Sequence, residues 1–229
     1  MEKAIELVRV KLEKVHNSHG VEHAIAVLSH IDASFSCLKK QFKEKEAIRL
    51  AALLHDLDDR KFFPQNKNFE NARQIIKEVM PEKEEIIIEM ISLVSFSSNG
   101  NNKNAEEWKL YPRYADRLES IGKIGVKRCC EYGSDISRPF FDKKTERCIF
   151  KEDLNSERFK ERFRNYVGKK GEIGMSSTID HFYDKIIHIY PLGSNNKYFL
   201  QESEVRHNQV VKFVLHFGRT GEIDIPSLF

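Results

Sequence analysis

The stretch Glu46-Ala-Ile-Arg-Leu-Ala-Ala-Leu-Leu-His-Asp-Leu57 constrains this chain more than any other. A helix apolar over nearly its whole circumference has to be buried. His55 and Asp56, at its end, are therefore expensive unless something inside the fold binds them, and a metal ion is the commonest partner of an adjacent imidazole and carboxylate. Two further ionisable residues lie on amphipathic, helix-like segments and are candidate ligands. One is His23, in Gly20-Val-Glu-His-Ala-Ile-Ala-Val-Leu28; the other is Asp116, in Tyr114-Ala-Asp-Arg-Leu118.

A length of 229 residues with 40% hydrophobic content is enough for one large helical domain or two small ones. There is no apolar run of membrane-spanning length. The start, Met1-Glu-Lys-Ala-Ile-Glu-Leu-Val, is an acid-bearing amphipathic helix rather than a signal peptide, so a cytoplasmic protein is expected. Cys37, Cys129, Cys130 and Cys148 show no CxxC spacing, and adjacent cysteines on a helix are poor partners for each other, which points to reduced thiols. The net charge of +3 comes from 38 basic and 35 acidic residues without a long block of one sign. That balance gives no sign of an obligate nucleic-acid binder. In Glu157-Arg-Phe-Lys-Glu-Arg-Phe-Arg164 the acids interleave the bases, as on a solvated helix face. Oligomeric state is not legible.

Periodicity predicts helices at about 2–15, 21–38, 45–57, 68–79, 82–95, 106–121 and 122–132, then at 153–166, 178–190 and 195–217. Loops fall where Gly, Asn, Ser and Pro gather, at 97–103 and 133–139, and 171–174 reads as a flexible break. For 220–225 a β element is the alternative to coil. The expectation is an all-α chain forming a single domain over 1–229, with a core of about 1–135 and a helical C-terminal extension from about 136.

In order and context, His23, His55, Asp56 and Asp116 resemble the H…HD…D signature of the HD-domain metal-dependent phosphohydrolases. The resemblance, to small bacterial-type HD hydrolases, runs through Ser18-His-Gly-Val-Glu-His23, Ala51-Ala-Leu-Leu-His-Asp-Leu-Asp-Asp-Arg-Lys-Phe62, Ser95-Phe-Ser97, Ala115-Asp-Arg-Leu-Glu-Ser-Ile-Gly122 and His181-Phe-Tyr-Asp-Lys185. It implies a helical bundle holding one divalent metal on those four residues. It also implies hydrolysis of a phosphoester in a nucleotide or related small phosphorylated metabolite. Two imidazoles and two carboxylates suit Mn, Fe, Co, Ni or Zn better than Mg. The alternative is a catalytically weak sensor that binds metal and nucleotide.

Around the ligands each residue has two readings. Asp59 faces the same side as Asp56 if the helix runs one turn further and would then orient or deprotonate water; otherwise one carboxylate of the Asp58-Asp59 pair caps a helix end or holds Arg60. Arg60, Lys61 and Arg117 are phosphate-neutralising candidates or surface charges. His19 is a substrate donor or a solvent histidine, and His181 and Lys185 either reach a cleft or tie helices together. Two positions depart from the family pattern: relatives usually carry Arg where this chain has Ala26, and many carry His where it has Val94. Both departures bear on the substrate pocket, while the four ligands are intact.

Overall fold

The computed structural model describes residues 1–13, 20–38, 42–60, 62–102, 104–168 and 177–223. In chain order the helices are α1 (Glu2–Leu12), α2 (Val21–Ser36), α3 (Lys45–Leu54), α4 (Glu70–Val79), α5 (Glu84–Val94), α6 (Phe96–Asn99), α7 (Tyr111–Glu119), α8 (Gly122–Asp135), α9 (Glu157–Gly168), α10 (Thr178–Asp184) and α11 (Lys197–Thr220). Short 3-10 turns occupy Pro81–Lys83, Glu107–Leu110, Glu152–Asn155 and Ile186–His188. The protein is all-α, with no strand among the described residues. None of the described helices is long and apolar enough to cross a membrane. The chain divides into two compact units, one formed by Met1–Asp116 with Ser194–Phe199, the other by Arg117–Gly193 with the chain from Leu200 on.

The apolar stretch forms the centre of the first unit. Ala47, Ile48, Leu50, Ala51, Ala52, Leu53 and Leu54 of α3 are all buried. Pairwise contacts set the helix directions. Asp32 binds Arg49 at 2.8 Å while His23 meets His55, so α2 and α3 are antiparallel. Glu44 binds Lys83 at 2.9 Å just ahead of α3 and α5, which therefore start level. Lys109 reaches Glu89 at 2.8 Å and Arg113 reaches the Leu93 carbonyl at 2.6 Å, so the segment leading through α7 runs parallel to α5. The Ser194–Phe199 segment is tied into this unit by polar side chains. Glu107 accepts from Ser194 and Asn195, Asn196 donates to the Ser34 carbonyl, and the Tyr198 hydroxyl meets His30 Nδ1 at 2.6 Å.

Where periodicity predicts that α3 continues to Leu57, the helix ends at Leu54. His55 closes it, and Leu57 turns back to bond the Leu54 carbonyl three residues earlier. Leu57 is itself buried inside the turn, which is why its hydrophobicity extends the apparent helix. Asp58 then does a distant job. The first amides of a helix lack intrahelical partners, and the residue before α4, Phe69, has no accepting side chain. The Asp58 carboxylate supplies that acceptor, taking the amides of Asn71 and Ala72 at 3.1 and 2.9 Å.

In the second unit Phe159, Phe182, Tyr183, Phe213 and Phe217 form the aromatic core. Arg162 of α9 binds Asp180 and Asp184 of α10 at 2.8 and 2.6 Å. The chain at 147–149 lies directly on α11, where Arg147 Nε donates to the Gly218 carbonyl at 2.9 Å. At 220–225, Thr220 ends α11 and 221–223 are irregular; the rest of that segment and the break at 171–174 lie outside the described residues.

A methyl group on Gly218 would sit 1.7 Å from the Cys148 carbonyl oxygen, so no side chain fits. Gly218→Ala is expected to destabilise the protein by about 1–3 kcal/mol or more despite the better helix propensity of alanine. Urea denaturation measures this, and an unchanged or raised midpoint would show that the backbones are not in contact there.

Candidate metal centre

The helix directions explain why residues far apart in sequence meet. α2 begins where α3 ends, so His23, in the first turn of α2, faces His55, the residue that closes α3. Their rings lie edge to face with centroids 5.2 Å apart. His55 Nδ1 is 2.8 Å from the Ala52 carbonyl. A carbonyl only accepts, so Nδ1 carries the proton in the neutral ring and Nε2 is left as a lone-pair donor. That Nε2 is buried and has no well-formed hydrogen bond. Its nearest carboxylate oxygens belong to Asp56 at 3.4 Å and Asp116 at 3.6 Å. His23 Nε2 lies 3.4 Å from the same Asp116 oxygen and 3.6 Å from the other oxygen of Asp56.

The four side chains therefore converge. Ligand atoms of His23, His55 and Asp56 lie within 4.8 Å of one another. Atoms about 2.1 Å from a shared ion are separated by about 3–3.5 Å, close to these imidazole–carboxylate spacings. A buried imidazole nitrogen facing carboxylates at distances too long for strong hydrogen bonds fits a cation between them. The His55–Ala52 bond has the form of the outer contact that orients a metal-ligating ring. Burial lowers the pKa of His55, but Asp56 and then Asp116 outweigh it and raise it to about 9. For Asp116 burial raises the pKa, and the close approach of the His23 and His55 imidazoles overcomes this, leaving the carboxyl well below its usual range.

The other residues singled out in the sequence fall on several elements. Asp59 is half-buried in the irregular chain after the turn, not on a continued helix. Its neighbour Asp58 is the cap for α4, and Arg60 is exposed. Arg117 follows Asp116 on α7 and is buried in the second unit, as are, in part, His181 and Lys185 around α10. His181 is ring-packed with Tyr166. His19 and Lys61 lie outside the described residues. Ala26 is half-buried on α2, and Val94 closes the last turn of α5 with a buried apolar side chain. Nothing in the sequence marked Glu107 or Arg113. Both are charged residues on predicted amphipathic helix and read as surface until their partners are seen.

A protein of known structure from Lactobacillus plantarum superposes with a TM-score of 0.69 at 20% identity, covering 95% of this chain and 94% of its own. An HD-superfamily hydrolase from Bacillus thuringiensis superposes at 0.61 with 23% identity, covering 94% and 93%. Bacillus subtilis YpgQ superposes at 0.65 with 17% identity, covering 97% and 99%. The fold is that of the HD domain. No protein-family model matches the chain. An uncharacterized protein of Acanthamoeba polyphaga mimivirus is 36% identical over 221 residues, 88% of this chain and 90% of the viral one. The chain belongs to the same family as that viral protein.

The raised pKa of His55 fixes the sign of a pH effect in metal-free protein. Its folded value, about 9, is above the ordinary 6.5, so its stabilising contribution is fully present below about 6.5 and is lost as pH rises through about 9. Urea midpoints of chelator-treated protein should fall across that window, and His55→Gln should flatten the fall. A wild-type midpoint that rises from pH 6.5 to 9 would contradict the electrostatics.

Proposed function

We propose that the chain is a divalent-metal-dependent phosphohydrolase acting on a nucleotide or a related small phosphorylated metabolite, with one ion held by His23, His55, Asp56 and Asp116. The observation that carries the reading is the meeting of two imidazole Nε2 atoms and two carboxylates at 3.4–3.6 Å at one buried helix end. The name of the Bacillus thuringiensis protein, an HD-superfamily hydrolase, supports hydrolysis; the nucleotide rests on the family resemblance. Mn, Fe, Co, Ni and Zn suit the two-nitrogen, two-carboxylate donor set better than Mg. When bound, the ion acidifies a water and polarises a phosphoryl oxygen.

The chain's own residues supply orientation, charge and proton transfer. The Ala52 carbonyl fixes the tautomer and ring plane of His55, and Asp56 and Asp116 offset the ion's charge. Asp59, three residues after Asp56, is assigned to take the proton of the attacking water. Arg60 and Arg117, each adjacent in sequence to an acid of the site, are assigned to the substrate phosphate. His19, Lys61, His181 and Lys185 are assigned substrate contacts from the family motifs alone.

Elemental analysis of purified protein, together with phosphate or pyrophosphate release from a panel of nucleotides and sugar phosphates, tests the reading. Metal-dependent turnover is expected. Metal and nucleotide binding without turnover would favour the sensor. His55→Ala and Asp56→Ala should each abolish tight metal binding while leaving helical content largely intact, because the apolar packing of α3 does not depend on the ion. Stoichiometric metal in both variants would remove these residues from the ligand set. Asp116→Asn should weaken metal affinity and lower turnover strongly, and a wild-type rate at saturating metal would place Asp116 outside the coordination sphere.

The two neighbouring acids should separate cleanly. Asp59→Asn is expected to keep its metal and its melting temperature while kcat falls about a hundredfold or more. Asp58→Ala should instead lose about 1 kcal/mol of stability through the uncapped α4 and keep its rate. Melting temperature and kcat on the same preparations decide it, and an unchanged kcat in Asp59→Asn removes that residue from the mechanism.

A further inference from the structure

We infer that Arg113 is a positioning residue for Asp116, setting the register of α7 against the end of α5 so that the Asp116 carboxylate arrives between the two imidazoles. This rests on the reading of Asp116 as a metal ligand.

Arg113 is 2% exposed and among the largest fully buried side chains of the protein. Burial lowers its pKa, and among the described residues no carboxylate pairs with it. Its hydrogen bonds go to two backbone carbonyls, Leu93 from Nε at 2.6 Å and Asn102 from Nη1. A guanidinium buried without a counter-charge is costly, and an apolar side chain of similar volume would fill the same space more cheaply. What an apolar side chain lacks is the rigid fork. Nε and Nη1 are fixed in one plane, so the two carbonyls are held relative to each other and to α7. Those carbonyls flank the loop that starts at Ser95: Leu93 lies in the last turn of α5, and Asn102 lies where the loop returns.

The position along the helices is what links this fork to the site. Lys109 meets Glu89, and four residues later Arg113 meets Leu93. One further turn brings α7 to Asp116, on the same face as Arg113, but α5 has ended at Val94. Arg113 thus ties α7 to the body of α5 one turn before the ligand. A lysine at the same place keeps the charge, yet as a point donor it does not hold both carbonyls in a fixed geometry.

The test is Mn2+ titration, followed by electron paramagnetic resonance, of wild type, Arg113→Lys, Asp116→Asn and the double variant, with circular dichroism melts on each. Arg113→Lys is expected to keep its helical content and a cooperative melt while Mn2+ affinity falls about tenfold or more, the scale of losing an outer contact to a ligand. In the Asp116→Asn background the same change should have almost no further effect, because the two act through one group. Wild-type affinity in Arg113→Lys, or full additivity in the double variant, overturns the inference. If Arg113→Lys does not fold, Arg113→Ala with added ethylguanidinium replaces it. Joint recovery of the melt and of Mn2+ affinity supports the role, whereas recovery of the melt alone, or no recovery, assigns Arg113 to the fold as a whole and overturns it. Wild-type protein that binds no Mn2+ rejects the metal centre itself, a result distinct from either outcome at Arg113.

Discussion

Two imidazoles and two carboxylates meet at the end of α3, whose apolar residues are all buried, and the rest of the first unit is arranged around that fact. His23 and His55 have side chains only 1–2% exposed, and Asp56 and Asp116 are at most a quarter exposed. Groups of this kind are expensive to bury singly and become tolerable only when they offset one another's charge or share a cation. Without an ion, the arrangement holds a proton: the acids keep His55 charged to about pH 9. On the proposed metal-centre reading, the same acids would offset the ion and the imidazole nitrogens would bind it. On that reading the proton and the metal would compete for one cluster, and metal affinity should rise with pH wherever His55 must first lose its proton.

Delivering those groups is a matter of helix direction. The antiparallel pairing of α2 with α3 puts the start of one beside the end of the other, so a histidine in a first turn meets a histidine at a last turn. Parallel packing of α5 and α7 brings the second acid, Asp116, to the same level. The ties that set these directions are outward-lying or half-buried pairs: Asp32 with Arg49, Glu44 with Lys83, Glu89 with Lys109. Exposed ion pairs contribute little stability individually. Their role here is to select one register among the apolar packings that α3 alone would accept.

How much of this was legible in the sequence depended on whether the signal was local. α2 and α3 follow from apolar spacing, and the four residues of the candidate centre stood out because ionisable side chains interrupted or ended apolar helical patterns. The end of α3 did not follow, since Leu57 is as buried in a turn as it would be in a helix. Which of Asp58 and Asp59 caps a helix was not legible in the sequence. Only the fold shows that Asp58 caps a helix beginning a dozen positions later. Arg113 carried no signal at all, because an arginine on an amphipathic helix reads as solvated and its partners are carbonyls, which every residue possesses. The tie of Ser194–Phe199 to Glu107, Ser34 and His30 was equally hidden, being made between segments far apart along the chain.

The proposed chemistry depends on one divalent ion sitting between His23 and His55. Pulsed electron paramagnetic resonance of Mn2+-loaded protein, labelled with 15N only at histidine, tests it directly. Couplings from two directly bound imidazole nitrogens at one Mn2+ per chain are expected, reduced to one when His23 is replaced by glutamine. Tightly bound Mn2+ showing no directly coordinated histidine nitrogen would contradict it.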